Sequence, residues 1–260
     1  MKPKISIITI TFNSEKTLEE TIESVVSQGY DNLEYLIIDG KSTDGTLDIV
    51  DRYREHINFV VSEPDKGISD AFNKGIAHAT GEIIGIINSD DVLLPGALKT
   101  LSDNYEADVD VYRGNTVLWD SEKGTKISTR PTMEFPIYKR IKSVCHQSTF
   151  IRKEAYIKYG DFDLRFKYMM DADILHRYYI KGAKFKYIDK DLAAFRLGGV
   201  TSDNWSKKLK EANLMIRKNG GSAFLAFSRL LFFMLIVIFK KIAFNIIGED
   251  SSRRIRYRKS

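Results

Sequence analysis

The sequence predicts an α/β protein whose first half is a doubly wound, mostly parallel sheet. Short runs rich in β-branched residues alternate with amphipathic stretches of helical length, which is typical of βαβ units. Polar turns follow these apolar runs, as expected where the strands of an open α/β sheet end and ligands bind. From about residue 107 the alternation stops and short β segments follow, which predicts a mixed α+β second half.

The elements of the first half follow from local patterning. Apolar runs rich in Ile and Val predict buried strands at 5–11, 35–38 and 57–61. Amphipathic helices are predicted between them, and the first of these runs from Leu18 to a close at Gly29. Together these segments predict consecutive parallel strands joined by crossover helices.

The central strand starts at Ile83 and ends abruptly in Asn-Ser-Asp-Asp at 88–91, before Pro95 opens a helix. Two adjacent carboxylates at a strand end repel each other unless a positive charge lies between them and the substrate. A Mg²⁺ or Mn²⁺ ion holding a diphosphate would supply that charge, since both cations prefer oxygen ligands. The alternative is that Asp90 or Asp91 caps the helix that Pro95 starts.

The second half gives sparser signals. Two short strands are predicted at 109–112 and 116–119, with a turn at Lys123-Gly124. A helix is predicted to begin near Asp171 and to end at Gly182.

The domain boundaries follow these changes of pattern. We predict one globular domain over residues 1–220, with a half of nucleotide-binding architecture at 1–106 and a second half at 107–220. Residues 221–260 form a separate apolar and basic segment.

Charge is unevenly distributed along the 260 residues, whose formal net charge is +5. Residues 221–260 hold eight Lys/Arg against two Asp/Glu, so the rest of the chain is almost neutral and we expect no nucleic-acid partner. The single cysteine, Cys145, rules out an internal disulfide and fits a reducing compartment. No signal peptide precedes the first strand, so we expect the N-terminus to stay in the cytoplasm.

Five stretches carry a resemblance to a known family. They are SIITITFNSEKTLEETIESVVSQ, IIDGKSTDGT, EPDKGISDAFNKGIAHATGEIIGIINSDD, CHQSTFIRK and MMDADILHRY, in this order across residues 4–180. In them the chain resembles the family-two inverting glycosyltransferases of GT-A fold, especially the bacterial enzymes that build surface polysaccharides. A Gly-x-Gly-x-x-Gly turn and a P-loop lysine, the marks of two other nucleotide-binding classes, are both absent.

The resemblance implies a site for a departing nucleoside diphosphate, whose developing charge needs a preorganised cation. Asn88-Ser89-Asp90 takes the place of the family's Asp-x-Asp metal motif. Asp90 is the expected ligand of Mn²⁺ or Mg²⁺, and Asp91 is the second choice. The first aspartate of the motif has become Asn88, which ligates metal less well but still accepts a hydrogen bond from a ribose hydroxyl.

The resemblance also implies how the base of the donor is recognised. Phe12 is expected to stack on or flank uracil, and Asp39 to accept a hydrogen bond from the imide N–H, which selects uracil or thymine. The structural alternatives are a core aromatic and a helix-capping carboxylate. The expected donor-binding residues are Thr11, Phe12, Asn13, Asp39, Asp65, Lys66, Gly67, Asp70, Asn88, Ser89 and His146.

An inverting transfer needs one base that takes the proton of the acceptor hydroxyl. By resemblance Asp171 aligns with the family's base at a helix N-terminus, Asp173 is the alternative, and Met170 replaces the first acid of Glu-Asp-x-Asp. The structural alternative is that Asp171 caps the helix and Asp173 favours its dipole. His146 is either a core histidine or a contact to the donor diphosphate or the acceptor.

The C-terminal segment predicts membrane association. Residues 223–239 are nearly all apolar, but their 17 residues lie at the lower edge of what spans a bilayer. Basic residues follow them, and such residues beside an apolar helix bind the anionic cytoplasmic leaflet. We expect residues 223–259 to form an interfacial anchor at the cytoplasmic face of the inner membrane. The alternative is a helix packed on the body or on a second subunit.

These features together predict a metal-dependent, inverting, non-processive glycosyltransferase. It would move one sugar from a UDP- or dTDP-sugar to a glycan acceptor, lipid-linked, in polysaccharide biosynthesis. Because Asn88 and Met170 depart from the family motifs, a catalytically degenerate, membrane-bound assembly partner stays open. A sugar nucleotidyltransferase is the third hypothesis, although the Gly-rich phosphate loop that it needs is missing.

Overall fold

The computed structural model describes residues 2–121, 123–135, 145–197 and 205–222, together with residues 224 and 228. The predicted membrane segment, 223–259, therefore lies outside the described residues apart from two positions. Among the residues that the structure describes, no helix has the length and apolar character needed to cross a bilayer.

The chain divides into two compact units, Met1–Gly199 and Val200–Ser260. The first unit contains the sheet and all the predicted site residues. The division lies about 20 residues before the boundary that the sequence predicts at 220, so a helix over Trp205–Lys218 belongs to the second unit.

Within the described residues, nine strands join in one sheet. In chain order the strands are β1 (Ile5–Thr11), β2 (Leu33–Asp39), β3 (Phe59–Ser62), β4 (Ile83–Asn88), β5 (Val92–Leu93), β6 (Val111–Asp120), β7 (Thr125–Thr129), β8 (Thr149–Arg152) and β9 (Phe185–Arg196). The helices are α1 (Leu18–Val26), α2 (Thr46–Arg52), α3 (Ile68–His78), α4 (Ala97–Asp103), α5 (Lys153–Tyr159), α6 (Met170–Ile180) and α7 (Trp205–Lys218), with 3-10 turns at Arg54–His56 and His146–Ser148.

The strand order is β3-β2-β1-β4-β8-β6-β9-β5, and β7 pairs with β6. The strands β3, β2, β1 and β4 are parallel, so their carboxyl ends lie along one edge. The chain leaves β1 toward β2 and returns on its other side as β4, which makes the β1–β4 crevice a topological switch point, the usual ligand site of such sheets. The predicted doubly wound first half is confirmed.

The core of the first half comes from the apolar residues that define the strands and helices in sequence. Leu18, Ile22 and Val25 form one face of α1 and are fully buried against the sheet. Helix α3 approaches the other face so closely that a Cβ atom at Gly75 would overlap Ile8 of β1. This close packing sets where the N-terminus of α3 stands at the site edge.

The second half departs from the predicted elements. The two strands predicted at 109–112 and 116–119 are one strand, β6, and β8, α5 and β9 were not predicted. Strand β9 pairs in parallel with β6 but carries the exposed charged residues 189–191 at its centre, where the register shifts by a bulge. These charged residues interrupt the alternation of apolar and polar side chains, so the sequence pattern indicated a loop and the strand was not predicted.

Glu34 is a buried carboxylate on β2, at the edge opposite the polar turns. It accepts hydrogen bonds from Ser6 Oγ at 2.5 Å, from the Thr80 backbone N–H at 2.7 Å and from Lys4 Nζ at 2.9 Å, and is 8% exposed. Burial works to raise the pKa of Glu34, but these hydrogen bonds, together with one from Thr80 Oγ1, outweigh it and lower the pKa to about 2.

We expect Glu34→Gln to lower the free energy of unfolding at neutral pH by about 2–3 kcal/mol, because a weaker acceptor would face the same donors. Since the pKa is lowered from 4.5, the carboxylate contributes fully above pH 4.5 and loses its contribution as the pH falls toward 2. Urea unfolding at pH 7 and pH 3 measures the loss of unfolding free energy and its dependence on pH. Glu55→Gln, at an exposed position, is the matched control. An equal gap between wild type and Glu34→Gln at the two pH values would contradict the assignment.

Candidate active site at the carboxyl ends of the parallel strands

The turn after β4 places its two aspartates in different surroundings. Asp91 is 1% exposed, and its carboxylate accepts hydrogen bonds from Gln147 Nε2 at 2.7 Å and from the Arg196 backbone N–H at 2.9 Å. Burial, followed by the nearby Asp90 charge, raises the pKa of Asp91. Asp91 thus joins β4 to the second half of the sheet, which argues against it as the second-choice metal ligand.

Asp90 is the more accessible of the two, and within the described residues it accepts no hydrogen bond from another side chain. Burial raises the pKa of Asp90, and a hydrogen bond from its own backbone N–H, followed by the Arg196 charge, partly opposes this effect. Neither aspartate caps the following helix, because β5 intervenes and the N-cap residue of α4 is Gly96. The carboxylate of Asp90 is therefore available to a ligand.

The oxygen atoms at this edge fit a hard divalent cation that arrives with a diphosphate. Asp90 supplies one available carboxylate, whereas Asn88 faces His146 and Ser89 Oγ lies 2.7 Å from Ser14 Oγ. Among the described residues, no group of three or more His, Cys, Asp and Glu side chains could enclose a metal ion. Such enclosure is not needed, because Mg²⁺ is commonly held by one or two carboxylates with substrate phosphates and waters completing its shell.

The His146–Ser148 turn brings the second half of the sheet to the end of β4. His146 Nε2 lies 3.2 Å from Asn88 Oδ1, and Nδ1 lies 2.9 Å from Asp171 Oδ2. Burial disfavours a charged imidazole, but Asp171 outweighs it, with smaller help from Asp91 and Asp90, and raises the pKa of His146. One imidazole ring thus separates the end of β4 from the first turn of α6.

The two candidate bases have different roles in the structure. Asp171 is partly exposed in the first turn of α6, and Met169, not Asp171, is the N-cap residue. Asp173 is 1% exposed and pairs at 3.0 Å with Arg177, whose guanidinium also donates to the carbonyl oxygens of Tyr159 and Asp161. Asp173 therefore helps to anchor α6, and the geometry favours Asp171 as the base.

The ends of β1 and β2 form a recess beside this edge. The ring of Phe12 is 62% exposed, which excludes the alternative that it is a core aromatic. A Cβ atom at Gly40 would lie 2.9 Å from Asp65 Oδ2 and 3.4 Å from the Phe12 ring, so these groups surround a glycine. An exposed aromatic face beside a carboxylate is suited to a nucleobase, which offers a flat surface and N–H donors.

Asp39 is fully buried and holds the loop after β2. Its carboxylate accepts hydrogen bonds from the Ser42 backbone N–H at 2.9 Å, from Ser42 Oγ at 2.5 Å and from Ser62 Oγ at 2.5 Å. Asp39 caps no helix, since the N-cap residue of α2 is Gly45. With no exposed surface, the carboxylate is not presented to a base in this conformation, so its contact with an imide stays a prediction.

Other predicted donor residues shape the neighbouring loops. Asn13 adopts a left-handed conformation with φ 49° and its Oδ1 accepts a hydrogen bond from the Thr43 backbone N–H. Thr11 is 5% exposed, and its Oγ1 has no hydrogen-bond partner among the described residues. Thr11 and Asn13 flank Phe12 in the chain. Their contact with a nucleotide-sugar donor stays a prediction.

The loop before α3 holds the remaining predicted donor residues. Lys66 is exposed, and its backbone N–H donates to Asp70 Oδ2 at 3.0 Å across the helix start. Gly67 has φ 125°, a conformation that glycine adopts without strain. Lys74 holds Asp65 at 2.7 Å, so the carboxylate beside Phe12 is fixed in place.

Three residues of this region were not predicted from sequence. Gln147 and Arg196 enclose the Asp91 carboxylate, and the guanidinium of Arg196 also stacks on Trp119 at 4.2 Å. Arg113 is a fully buried side chain that donates to Thr149 Oγ1, and burial lowers its pKa to about 10. In sequence, each of these three residues is marked only as a polar side chain within an otherwise apolar strand or motif.

A family profile described as Glycosyl transferase family 2 matches residues 6–160 of the chain. The chain belongs to this family. The resemblance predicted from the sequence is thus confirmed, and so is the enzyme class, a glycosyltransferase, at the level of the family. The match covers β1 to α5 and ends before α6, which carries Asp171.

One similar protein is a glycosyltransferase of a named polysaccharide pathway. The chain is 38% identical to a putative teichuronic acid biosynthesis glycosyltransferase, TuaG of Bacillus subtilis, over 93 residues, or 35% of this chain and 37% of TuaG. This chain therefore spans little more than a third of the length of that relative.

Two solved structures share the fold. Residues 1–349 of S. aureus TarS, in complex with UDP-GlcNAc, match with a TM-score of 0.64 at 20% identity, over 82% of this chain and 66% of that chain. A mannosyltransferase from Pyrobaculum calidifontis, in complex with GDP-Man and Mn²⁺, matches with a TM-score of 0.64 at 18% identity, over 89% of this chain and 68% of that chain. At these identities the likeness shows the fold, and it confirms the α/β architecture.

We expect Arg177→Met to lower the free energy of unfolding by about 3–5 kcal/mol, because it removes the cation that faces the buried Asp173 carboxylate. The matched control is Arg165→Met, which removes an arginine paired with Asp163 but 58% exposed, and its cost should stay below about 1 kcal/mol. Urea unfolding of both variants at pH 7 measures the difference. Equal losses would show that the Asp173–Arg177 pair does not anchor α6.

Proposed function

We propose that the chain transfers one sugar, with inversion, from a UDP- or dTDP-sugar to a glycan acceptor. The observation that carries this proposal is the contact of one imidazole with both Asn88 at the end of β4 and Asp171 on α6. A carboxylate that can serve as a base thereby stands beside the strand end where a donor diphosphate would bind. Such a juxtaposition is what a direct displacement requires.

Uridine or thymidine as the nucleoside is supported by the recess at Phe12, Gly40 and Asp65. The exposed ring provides a stacking surface, and Asp65 is held beside it by Lys74 as an acceptor for an imide N–H. The complex of TarS with UDP-GlcNAc, on the same fold, supports UDP as the carrier. Replacement of Gly40 by a larger residue would fill this recess.

Asp90 is proposed as the protein ligand of a Mn²⁺ or Mg²⁺ ion, and the Mn²⁺ complex of the Pyrobaculum calidifontis mannosyltransferase supports a divalent cation. When bound, the cation would stabilise the charge that develops on the departing diphosphate. The Arg196 guanidinium, whose Nε donates to the Asp90 carbonyl oxygen at 3.1 Å, holds the turn in place for this purpose.

Asp171 is proposed as the base of the transfer. It accepts the proton of the acceptor hydroxyl as that oxygen forms a bond to the anomeric carbon. The bond from this carbon to the diphosphate oxygen breaks on the opposite face, so the configuration inverts. Asp173, paired with Arg177, keeps α6 in position for this step.

The acceptor and the location of the enzyme are proposed from the sequence. TuaG is named for teichuronic acid biosynthesis, which supports a role in polysaccharide assembly. The apolar and basic residues 223–259 are suited to bind an anionic membrane surface at its cytoplasmic side, where a lipid-linked acceptor would be met. We therefore propose a peripheral or monotopic enzyme of the inner membrane.

The donor requirement is tested with radiolabelled nucleotide sugars and membrane extract as acceptor. We expect transfer from a UDP- or dTDP-sugar that needs Mn²⁺ or Mg²⁺. Asp90→Asn should lower the affinity for UDP in the presence of Mn²⁺ by about tenfold or more and should leave the metal-free affinity within about twofold. Calorimetry with and without EDTA measures this, with the exposed Asp103→Asn as control. A metal effect that persists unchanged in Asp90→Asn would contradict the assignment.

The role of Asp171 is tested by Asp171→Asn, which cannot take a proton. We expect kcat for transfer to fall by about 10²- to 10⁴-fold while the affinity for UDP stays within about twofold. Asp48→Asn, on the exposed side of α2, is the control. NMR spectroscopy of the product reports the anomeric configuration, and retention of the donor configuration would contradict the proposed displacement. UDP binding without transfer to any acceptor would favour the assembly-partner hypothesis instead.

A further inference from the structure

His146 is held on all sides between the two halves of the site. Its side chain is 12% exposed, its ring packs edge-on against the buried ring of Phe72 at 5.2 Å, and both ring nitrogens are engaged. Nδ1 meets Asp171 Oδ2 and Nε2 meets Asn88 Oδ1. A histidine whose two nitrogens are both taken by the protein has no nitrogen left for the donor diphosphate or the acceptor.

Both partner atoms of His146 are placed as oxygens, so both contacts are hydrogen bonds only when the ring carries a proton on each nitrogen. The Asp171 carboxylate compensates this cation, while Asn88 supplies a neutral acceptor. An aspartate at position 88 would instead place the ring between two carboxylates, which would compete for it. The amide at this position thus directs the charge of His146 to Asp171.

The contact with His146 also distinguishes the two oxygen atoms of Asp171. Oδ2 accepts from Nδ1, whereas Oδ1 is buried and accepts no hydrogen bond from the described residues. Asp171 lines a small, mostly apolar cavity of about 20 Å³ with Tyr156 and Phe162. Oδ2 of the base is therefore fixed, and Oδ1 is a buried acceptor that lacks a partner among the described residues.

We propose that His146 is a positioning residue that holds Asp171 for proton transfer, with Asn88 as its anchor on β4. Asn88 is in this view no weakened metal ligand but part of a hydrogen-bond chain that runs from β4 through His146 to Asp171. The inference rests on the proposed function, in which Asp171 is the base. It assigns to His146 and Asn88 a role toward the acceptor side of the reaction, in place of donor binding.

The two views of Asn88 predict opposite results for Asn88→Asp, a change that preserves shape. If Asn88 were a weakened metal ligand, a second carboxylate would raise kcat in the presence of Mn²⁺. If Asn88 anchors His146, Asn88→Asp should instead lower kcat by about tenfold, because the new carboxylate would draw the imidazole away from Asp171. If Asn88 is the anchor of His146, Asn88→Asp should leave the affinity for UDP within about twofold. If Asn88 is a weakened metal ligand, the affinity should stay within about twofold or increase.

A double-mutant cycle tests the coupling between His146 and Asp171 in the full chain. We expect His146→Gln to lower kcat by about 10- to 100-fold with KM for the donor nearly unchanged. In the Asp171→Asn background the same change should have an effect below about twofold, because the group that it positions is already gone. His56→Gln, in an exposed 3-10 turn, is the control. Effects that multiply in the double variant, or a loss of UDP affinity in His146→Gln, would overturn the proposal.

A spectroscopic measurement separates this inference from the proposed function, because it needs no donor. NMR spectroscopy of the chain with ¹⁵N-labelled histidine, whose four histidines are assigned by single His→Gln variants, reports each ring nitrogen. We expect the His146 Nδ1 signal to shift in Asp171→Asn and the Nε2 signal to shift in Asn88→Ala. Absence of both shifts would overturn the hydrogen-bond chain. If both shifts occur but no donor is used by the wild type, the proposed function fails while the chain of contacts stands.

Discussion

The candidate site depends on the fixation of the short His146–Ser148 turn against the end of β4. Gln147 bonds the Asp91 carboxylate, His146 bonds Asn88, and Ser148 Oγ donates to the Asn115 carbonyl oxygen on β6 at 2.9 Å. Three consecutive side chains thereby connect the parallel half of the sheet to the mixed half. Because buried polar groups are costly when they lose a partner, the loss of any one of these contacts would destabilise the junction.

Two adjacent carboxylates at this junction need positive charge nearby. Asp90 and Asp91 are adjacent, and burial raises the pKa of both, so their charges are costly without compensation. The charges of Arg196 and His146 oppose this effect at Asp90, and the charge of His146 also opposes it at Asp91. The site is thus arranged to receive further positive charge beside Asp90, where the carboxylate stays accessible.

Much of the first half could be predicted from sequence because its signals are local. Strands β1 to β4 are continuous apolar runs, and the polar turns that follow them give the positions of Phe12, Asn88 and Asp90. The roles of Asp39 and Asp91 were less predictable, since a carboxylate at a strand end serves equally well as a ligand contact or as an acceptor for its own loop. Their burial favours the second use, and burial depends on residues distant in sequence, such as Ser62, Gln147 and Arg196.

The sequence by itself determined the fold class, the mostly parallel sheet of the first half and the family, because these follow from periodicity and from motifs of adjacent residues. Only the tertiary structure decided which aspartate carboxylate is accessible, which one anchors α6 through Arg177, and what His146 contacts. The physical reason is that Asn88, His146 and Asp171 lie on separate elements, and their distances are set by how β4, β8 and α6 pack. Local patterning specifies the elements, whereas the chemistry arises where their ends meet.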